Sequence, residues 1–244
     1  MRYLDLNCDL GEGGAHDAAL MPLVTSANIA CGAHAGDPAT MRATVALAHR
    51  HGVAVGVHPG FADRENFGRR ELRLAPQATG GLIIDQIHRF CEATRGDFHH
   101  VKLHGALYNL AARDGELAME VALAVQTMSR DPLLYAPWGS ELAKAAKLIE
   151  LKVASEVFAD RAYAPDGTLV PRGRPGALLG AELAVAQVLG LVRTGAVCAT
   201  DGSLVPVQAD TVCVHGDGPD AVAIARALRA ALSREGVELR AFSA

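Results

Sequence analysis

The sequence predicts an α/β fold, a parallel β/α barrel of seven strands, on three observations. Seven short apolar runs recur along the chain, over residues 3–7, 24–30, 53–58, 100–104, 133–137, 153–158 and 211–215. Helical stretches separate them, which makes the strands parallel. The runs end in polar residues, and His34, His58, His104 and His215 close a run or sit just past one. Parallel strands share one carboxyl-terminal edge, where ligands bind. One site built from many strand ends is an enzyme's layout.

The elements follow in order. In the first run Leu4, Leu6 and Cys8 point one way while Asp5, Asn7 and Asp9 point the other. A helix over 38–51 opens after Asp37, an N-cap with proline at the first helical position, and stops before Gly52. The next helix, 76–95, ends at Gly96. In the fourth run Val101 and Leu103 oppose His100, Lys102 and His104. Helices over 116–128, after the Asp114-Gly115 turn, 140–151, 176–192 and 219–234 complete the set. In the last run Val212 and Val214 oppose Cys213, His215 and Asp217. Segment 196–208, with Val205-Pro206-Val207, reads equally as strand or loop.

Composition sets bounds. At 244 residues without a Ser/Pro/Gly-rich linker, residues 1–244 are expected to form one barrel domain. Half the chain is hydrophobic but only 5% is aromatic, so Ala, Val, Leu and Ile must build the core. A net charge of −4 with no basic cluster argues against nucleic acid or an anionic membrane as partner, and for a small-molecule substrate. No apolar stretch is long enough to span a bilayer, and the chain opens on a strand pattern instead of a signal peptide. Five cysteines without a C-x-x-C speak against a structural zinc or a disulfide framework and fit a reducing cytoplasm.

The inward faces carry charge. Unpaired charge inside a barrel costs several kcal/mol per ion, so these groups should pair with each other, a ligand or a metal. Strands deplete Asp and Asn, which makes Asp5 and Asn7 functional candidates. Asp5, Asp9 and Glu12 gather three carboxylates at this strand end and the loop after it, although Asp9 also reads as a turn cap and Glu12 as a solvated side chain. Clustered carboxylates titrate unevenly, so one can act as acid while another acts as base.

Ser26 to Pro38 is a strand, a glycine-punctuated loop and a helix start whose N–H groups suit an anion or oxyanion. Asp37 reads as an N-cap and Cys31 as a small buried hydrophobe rather than a nucleophile. Arg69 and Arg70 form a loop pair that can fork onto carboxylate or phosphate, or be balanced by Glu65 and Glu71. Lys102 faces inward with His104, and an inward lysine without a role is rare. The charged loop after the sixth run, with Glu156, Asp160, Arg161, Tyr163 and Arg172, reads as a lid or binding loop over 158–174. His215 opens a stretch, Gly216 to Ala221, that fits G-x-G-x-x-A, with Glu238 about 20 residues on. The chain ends too soon after it for a dinucleotide-binding half, so it reads as a tight turn before a helix. No P-loop motif occurs.

Together these stretches resemble the LamB/YcsF family, whose members are the A-type subunits of bacterial 5-oxoprolinase. The resemblance rests on Asp5 to Glu12, Ser26 to Pro38, Gly56 to Gly60 with Phe67 to Arg70, Lys102 to Asn109, Glu156 to Tyr163 with Gly167 to Arg172, and Val214 to Asp217. It departs at Leu103, where the family commonly has proline, and in a short, glycine-rich 11–17 loop. It implies a TIM-like barrel related to metal-dependent polysaccharide deacetylases. It also implies ATP-dependent opening of 5-oxo-L-proline to L-glutamate with two further subunits, B and C; a homo-oligomer is a further option.

On that reading Lys102 and His104 stabilise charge on the activated carbonyl or phosphoryl oxygens. Asp5 or Asp9 activates water, with His215 as the other base and Asn7 beside them. Asn28, His34 and His58 orient substrate or ligate a divalent ion. Arg161 or Arg172 meets the substrate carboxylate, with Arg69, Glu156, Asp160 and Tyr163 lining the site. ATP enters as co-substrate. Two other readings stay open: a metal-dependent amide or ester hydrolase without ATP, and a non-catalytic lactam- or sugar-binding subunit.

Overall fold

The computed structural model of the chain describes residues 3–75, 77–96, 98–129 and 131–243. Seven parallel strands close into a barrel: β1 (Tyr3–Leu10), β2 (Ser26–Ala30), β3 (Ala54–His58), β4 (His100–Lys102), β5 (Leu133–Pro137), β6 (Lys152–Phe158) and, closing β6 onto β1, β9 (Thr211–Val214). The seven-stranded expectation holds. A two-residue strand, β10 (Glu238–Leu239), pairs with Tyr3 and Leu4, below the stretch where β9 takes over at Asp5. Glu238 therefore lies at the sheet's end, beside Tyr3.

Helices α2 (Pro38–His51), α3 (Ala78–Thr94), α5 (Gly115–Gln126), α6 (Glu141–Leu148), α7 (Ala181–Thr194) and α8 (Ala221–Arg234) fill the crossovers, with short α1 (Asp17–Leu20) and α4 (Gly105–Ala111). Local chemistry sets several boundaries. Asp37 caps α2 by accepting from the N–H groups of Ala39 and Thr40, and Gly52 ends it at φ 66°. Asp114 and Ser140 cap α5 and α6 in the same way. The α7 helix begins five residues later than its apolar pattern suggests, because the long loop after β6 runs on to Gly180. Pro76, where the pattern starts the third long helix, lies outside the described residues.

Segment 196–208 resolves into an antiparallel hairpin, β7 (Ala196–Cys198) with β8 (Leu204–Pro206), outside the barrel. Its register leaves Pro206 at the strand end. The apolar pattern does not announce α4, which begins at once after His104, where Gly105 adopts φ 56°. Among the described residues no helix is long and apolar enough to cross a membrane.

The alternation in β1 holds. Leu4, Leu6, Cys8 and Leu10 are buried in the apolar core between barrel and helices, while Asp5, Asn7 and Asp9 are buried on the other face. Asp9 lies opposite Asn28, Asn28 opposite Gly56 and Gly56 opposite His100, so one row crosses four strands. A Cβ at Gly56 would stand 2.2 Å from His100 Nε2; glycine there makes room for the ring.

Candidate active site

The polar interior is one network, ordered from the barrel floor to the strand ends. At the floor the Asp5 carboxylate accepts from three hydroxyls, Thr25 (2.6 Å), Ser26 (2.8 Å) and Thr211 (2.6 Å). Burial still raises its pKa. Above it, Asn7 donates to Thr211 Oγ1 (2.7 Å) and Glu156 Oε1 (2.8 Å). Asn28 donates to Asn7 Oδ1 and Asp9 Oδ1, both at 2.8 Å, and His100 Nε2 lies 2.7 Å from Asn28 Oδ1. Burial pushes the His100 pKa well down, so the ring is neutral and donates.

Lys102 is at the centre. Its ammonium lies 3.0 Å from Asp9 Oδ1 and from Glu156 Oε1, and also donates to Asn7 Oδ1 (3.2 Å) and the Cys213 sulfur (3.0 Å). Burial works against the charge, but Asp9 and Glu156 outweigh it and hold the lysine pKa well above its ordinary value. Asp9 is held well below the usual carboxylate range, because His58 and Lys102 overcome its burial. Tyr108 donates its phenol to Glu156 Oε2, and burial together with that carboxylate keeps it protonated. Cys213, also buried, has its thiol pKa pushed well up.

Beside Asp9, at the ends of four strands, Glu12, His34, His58 and His104 converge. One ligand-type atom from each lies within 4.8 Å of the others. Glu12 Oε1 is 3.2 Å from His34 Nε2, 3.2 Å from His104 Nδ1 and 3.8 Å from His58 Nε2. Glu12 thus belongs to the carboxylate cluster instead of being solvated: its side chain is 9% exposed. Burial opposes its charge, but the His104 and His34 rings bring its pKa down to about 2. Burial brings His34 down to about 4, so it is neutral at pH 7. His34 and His104 stack with centroids 3.7 Å apart. A Cβ on Gly68 would lie 2.9 Å from His34 Cβ, which explains glycine at the turn covering the stack.

A cavity of about 650 Å³ opens next to Lys102 and is also walled by Asp9, His104, Tyr108, Glu156 and His215. Arg69, Arg161, Tyr163 and Arg172 line it as well. His215 Nδ1 is 2.8 Å from Asp160 Oδ1, its backbone N–H donates to the other carboxylate oxygen, and its ring stacks on Phe158. This is an Asp-oriented imidazole facing a cavity, the arrangement that fixes a tautomer for proton transfer.

Arg172 and Arg69 both bind Asp217 at the rim. Arg70 meets Asp63, and Glu71 meets Arg113, so Glu65 and Glu71 do not balance the arginine pair. Arg161 differs: it is 7% exposed, donates to Val170 O, and its Nε has no hydrogen-bond partner.

The loop read as a lid is anchored at its start. Residues 158–163 are buried, Gln187 donates to the carbonyls of Phe158, Ala159 and Arg161, and the Tyr163 hydroxyl accepts from the Phe158 N–H. Only the later part, from Ala164 on, is largely exposed. Thus the structure brings Asn7, Asp9, Asn28, His34, His58, Lys102, His104 and Glu156 into one cluster, with Asp160, Arg161, Tyr163, Arg172, His215 and Arg69 around the cavity. Asp5 is set apart on the floor. His100, Tyr108, Thr211 and Glu12 join the network as well; inward alternation marks His100 and, as the residue two before Cys213, Thr211.

Comparison with known proteins places the chain in a family. The LamB/YcsF family matches residues 4–244. Proteins named as the A-type subunit of 5-oxoprolinase are similar over 98% of this chain: that of Bordetella pertussis at 50% identity, covering 98% of its own length, and that of Heliobacterium modesticaldum at 49%, covering 97%. The crystal structure of the lactam utilization protein from Thermus thermophilus superposes with a TM-score of 0.91 at 44% identity, over 98% of this chain and all of that one. A peptidoglycan N-acetylglucosamine deacetylase domain from Eubacterium rectale, at TM-score 0.54 and 12% identity over 99% of this chain and 89% of that one, shares the fold. Nearly end-to-end matching at about half identity leaves one conclusion: this chain belongs to the LamB/YcsF family.

Proposed function

We propose that this chain is the lactam-opening component of an ATP-dependent 5-oxoprolinase, acting on 5-oxo-L-proline with two further subunits. The observation that carries the reading is Lys102, a buried ammonium clamped between Asp9 and Glu156 beside a cavity that also offers an Asp160–His215 pair and Arg161. The names of the close relatives point to the same chemistry.

A lactam carbonyl is a poor electrophile. Phosphoryl transfer from ATP to its oxygen makes the ring carbon reactive. Water then adds, the C–N bond breaks with the nitrogen taking up a proton, and a second water releases phosphate, leaving glutamate. Lys102 meets the negative charge on oxygen, with His104 beside it in the cavity wall. His215, oriented by Asp160, takes the proton from water, and Asp9 is the second base within the cavity wall. Arg161 receives the substrate carboxylate, because its Nε is a buried donor with no internal partner, whereas Arg172 is occupied by Asp217. Asn7 holds Lys102 and Asn28 holds Asp9 in place, while Asp5 ties Thr25, Ser26 and Thr211 together beneath them.

The test is glutamate release from 5-oxoproline by the chain alone and with its two partner subunits, each with and without ATP. Turnover is expected only from the full set with ATP. Robust ATP-independent hydrolysis by the single chain would instead favour the metal-dependent hydrolase reading.

A further inference from the structure

In the Glu12, His34, His58 and His104 cluster, Glu12, His58 and His104 present acceptors to one another, and His34 Nε2 faces the Glu12 carboxylate. His58 commits Nδ1–H to the carbonyl of Lys102 at 2.8 Å, which leaves a lone pair on Nε2. His104 commits Nε2–H to the carbonyl of Phe67 at 2.8 Å, which leaves a lone pair on Nδ1. Those two lone-pair atoms stand 3.0 Å apart, and the Glu12 carboxylate faces both. Asp9 Oδ2 adds a fourth acceptor 3.5 Å from His58 Nε2. Acceptors held this close require a cation among them.

We propose that Glu12, His34, His58 and His104 form a binding site for one divalent transition-metal ion of the zinc type. Atoms bound at ~2.0–2.1 Å around a tetrahedral ion lie about 3.3 Å from one another. Four of the six separations here are 3.0, 3.2, 3.2 and 3.8 Å, and all six lie within 4.8 Å, so an ion enters once the His34 ring adjusts. Backbone carbonyls fix the tautomer of His58 and of His104, the outer support expected of metal-bound imidazoles. Three nitrogens and one carboxylate suit zinc or cobalt better than magnesium or calcium, which prefer all-oxygen sites. His34 lacks such support, since its Nδ1 is buried without a partner, and it is the weakest arm. The ligands come from the loop after β1, the loop after β2, the end of β3 and the residue two beyond β4, so the folded barrel assembles the site. When bound, the ion supplies a Lewis acid at the cavity, whose wall includes His104. The site stands on ligand geometry and holds whichever substrate the cavity takes.

The rival cation is a proton, which would make one ring an imidazolium. The experiment therefore reads the ion itself. The purified full-length chain, stripped with chelator, is titrated with Zn²⁺ by calorimetry and with Co²⁺ by visible absorption. One equivalent should bind, with the absorption of a low-coordinate Co²⁺ site. His58→Gln and His104→Gln, shown folded by circular dichroism, should each weaken binding at least about 100-fold. If neither folds, Glu12→Gln on the loop after β1 gives the same readout. Folded wild-type chain that takes up neither ion saturably overturns the site, and so do folded variants that bind as tightly as wild type. Neither result depends on turnover, so a failed site and a failed oxoprolinase reading are told apart: the reconstituted assay decides the second alone.

Discussion

Lys102 Nζ lies 3.0 Å from Asp9 Oδ1, joining a cation on β4 to a carboxylate on β1 across the barrel. Neither group is more than 10% exposed. Such a pair is weak evidence for stability, because desolvation offsets most of the attraction. Its value lies in holding an ammonium at a fixed point on the cavity wall.

Lys102→Met keeps the aliphatic stem and deletes the charge. If the ammonium acts on oxygen charge that develops in the reaction, turnover by the reconstituted complex should fall about 10²-fold or more. Stability should move by no more than a few kcal/mol, in either direction, since desolvation is relieved while Asp9 and Glu156 lose their partner. Chemical denaturation and turnover on the same samples decide the matter. A folded variant with wild-type turnover would end the catalytic reading of Lys102.

Asp160→Asn tests the orientation of His215. Asp160 is held below the usual carboxylate range, its burial outweighed by His215, so it is anionic at pH 7 and fixes Nδ1 as the donor. The amide presents a donor to that nitrogen and favours the other tautomer. The kcat should drop about 10²-fold while KM for 5-oxoproline stays near wild type. A rise in KM alone would make the pair a binding element.

Arg161→Gln removes a buried guanidinium whose Nε has no partner. Loss of one charge-assisted hydrogen bond to a carboxylate is worth about 1.5–3 kcal/mol, so KM should rise roughly ten- to a hundredfold. A 5-oxoproline analogue without the carboxylate should be used equally badly by both proteins. Equal sensitivity of the two proteins to losing the carboxylate would place its receptor elsewhere.

Much of this site is legible in sequence because strand alternation is a local signal. Asp5, Asn7 and Asp9 on β1, and His100 and Lys102 on β4, are inward by period two alone. Asp37 and Gly52 bound α2 by the same short-range chemistry. Glu12 is different. It lies beyond the strand, after Gly11 turns the chain at φ 72°, and its partners sit on three other strand ends, so no local pattern reports its burial. The roles of the arginines are equally hidden. Arg69, Arg161 and Arg172 look alike in a loop, and only tertiary placement shows that two of them share Asp217 while Arg161 keeps a donor free. Pro206 obscures the hairpin at 196–208, yet it is tolerated because that strand ends there.

Asp217 carries the clearest pH dependence at the cavity rim. Burial opposes its charge, but hydrogen bonds from Arg172 and Arg69 hold its carboxyl far below the ordinary value. A folded-state pKa lower than the unfolded one, about 3.9, stabilises the protein above that pH. The contribution is lost as pH falls below about 4, when the unfolded chain takes up the proton first. The carboxylate is 28% exposed, so solvent screens the pair and it contributes about 1 kcal/mol. For a chain of this size that is about 2–4 °C in Tm. Asp217→Asn should therefore melt below wild type by that amount at pH 7, and the gap should narrow steadily as pH falls from about 4 towards the folded-state pKa. Salt should narrow it at pH 7 as well, since ions screen exposed charge. A gap that persists unchanged at the acid end would assign the loss to altered loop packing between Arg69 and Arg172 instead of to charge.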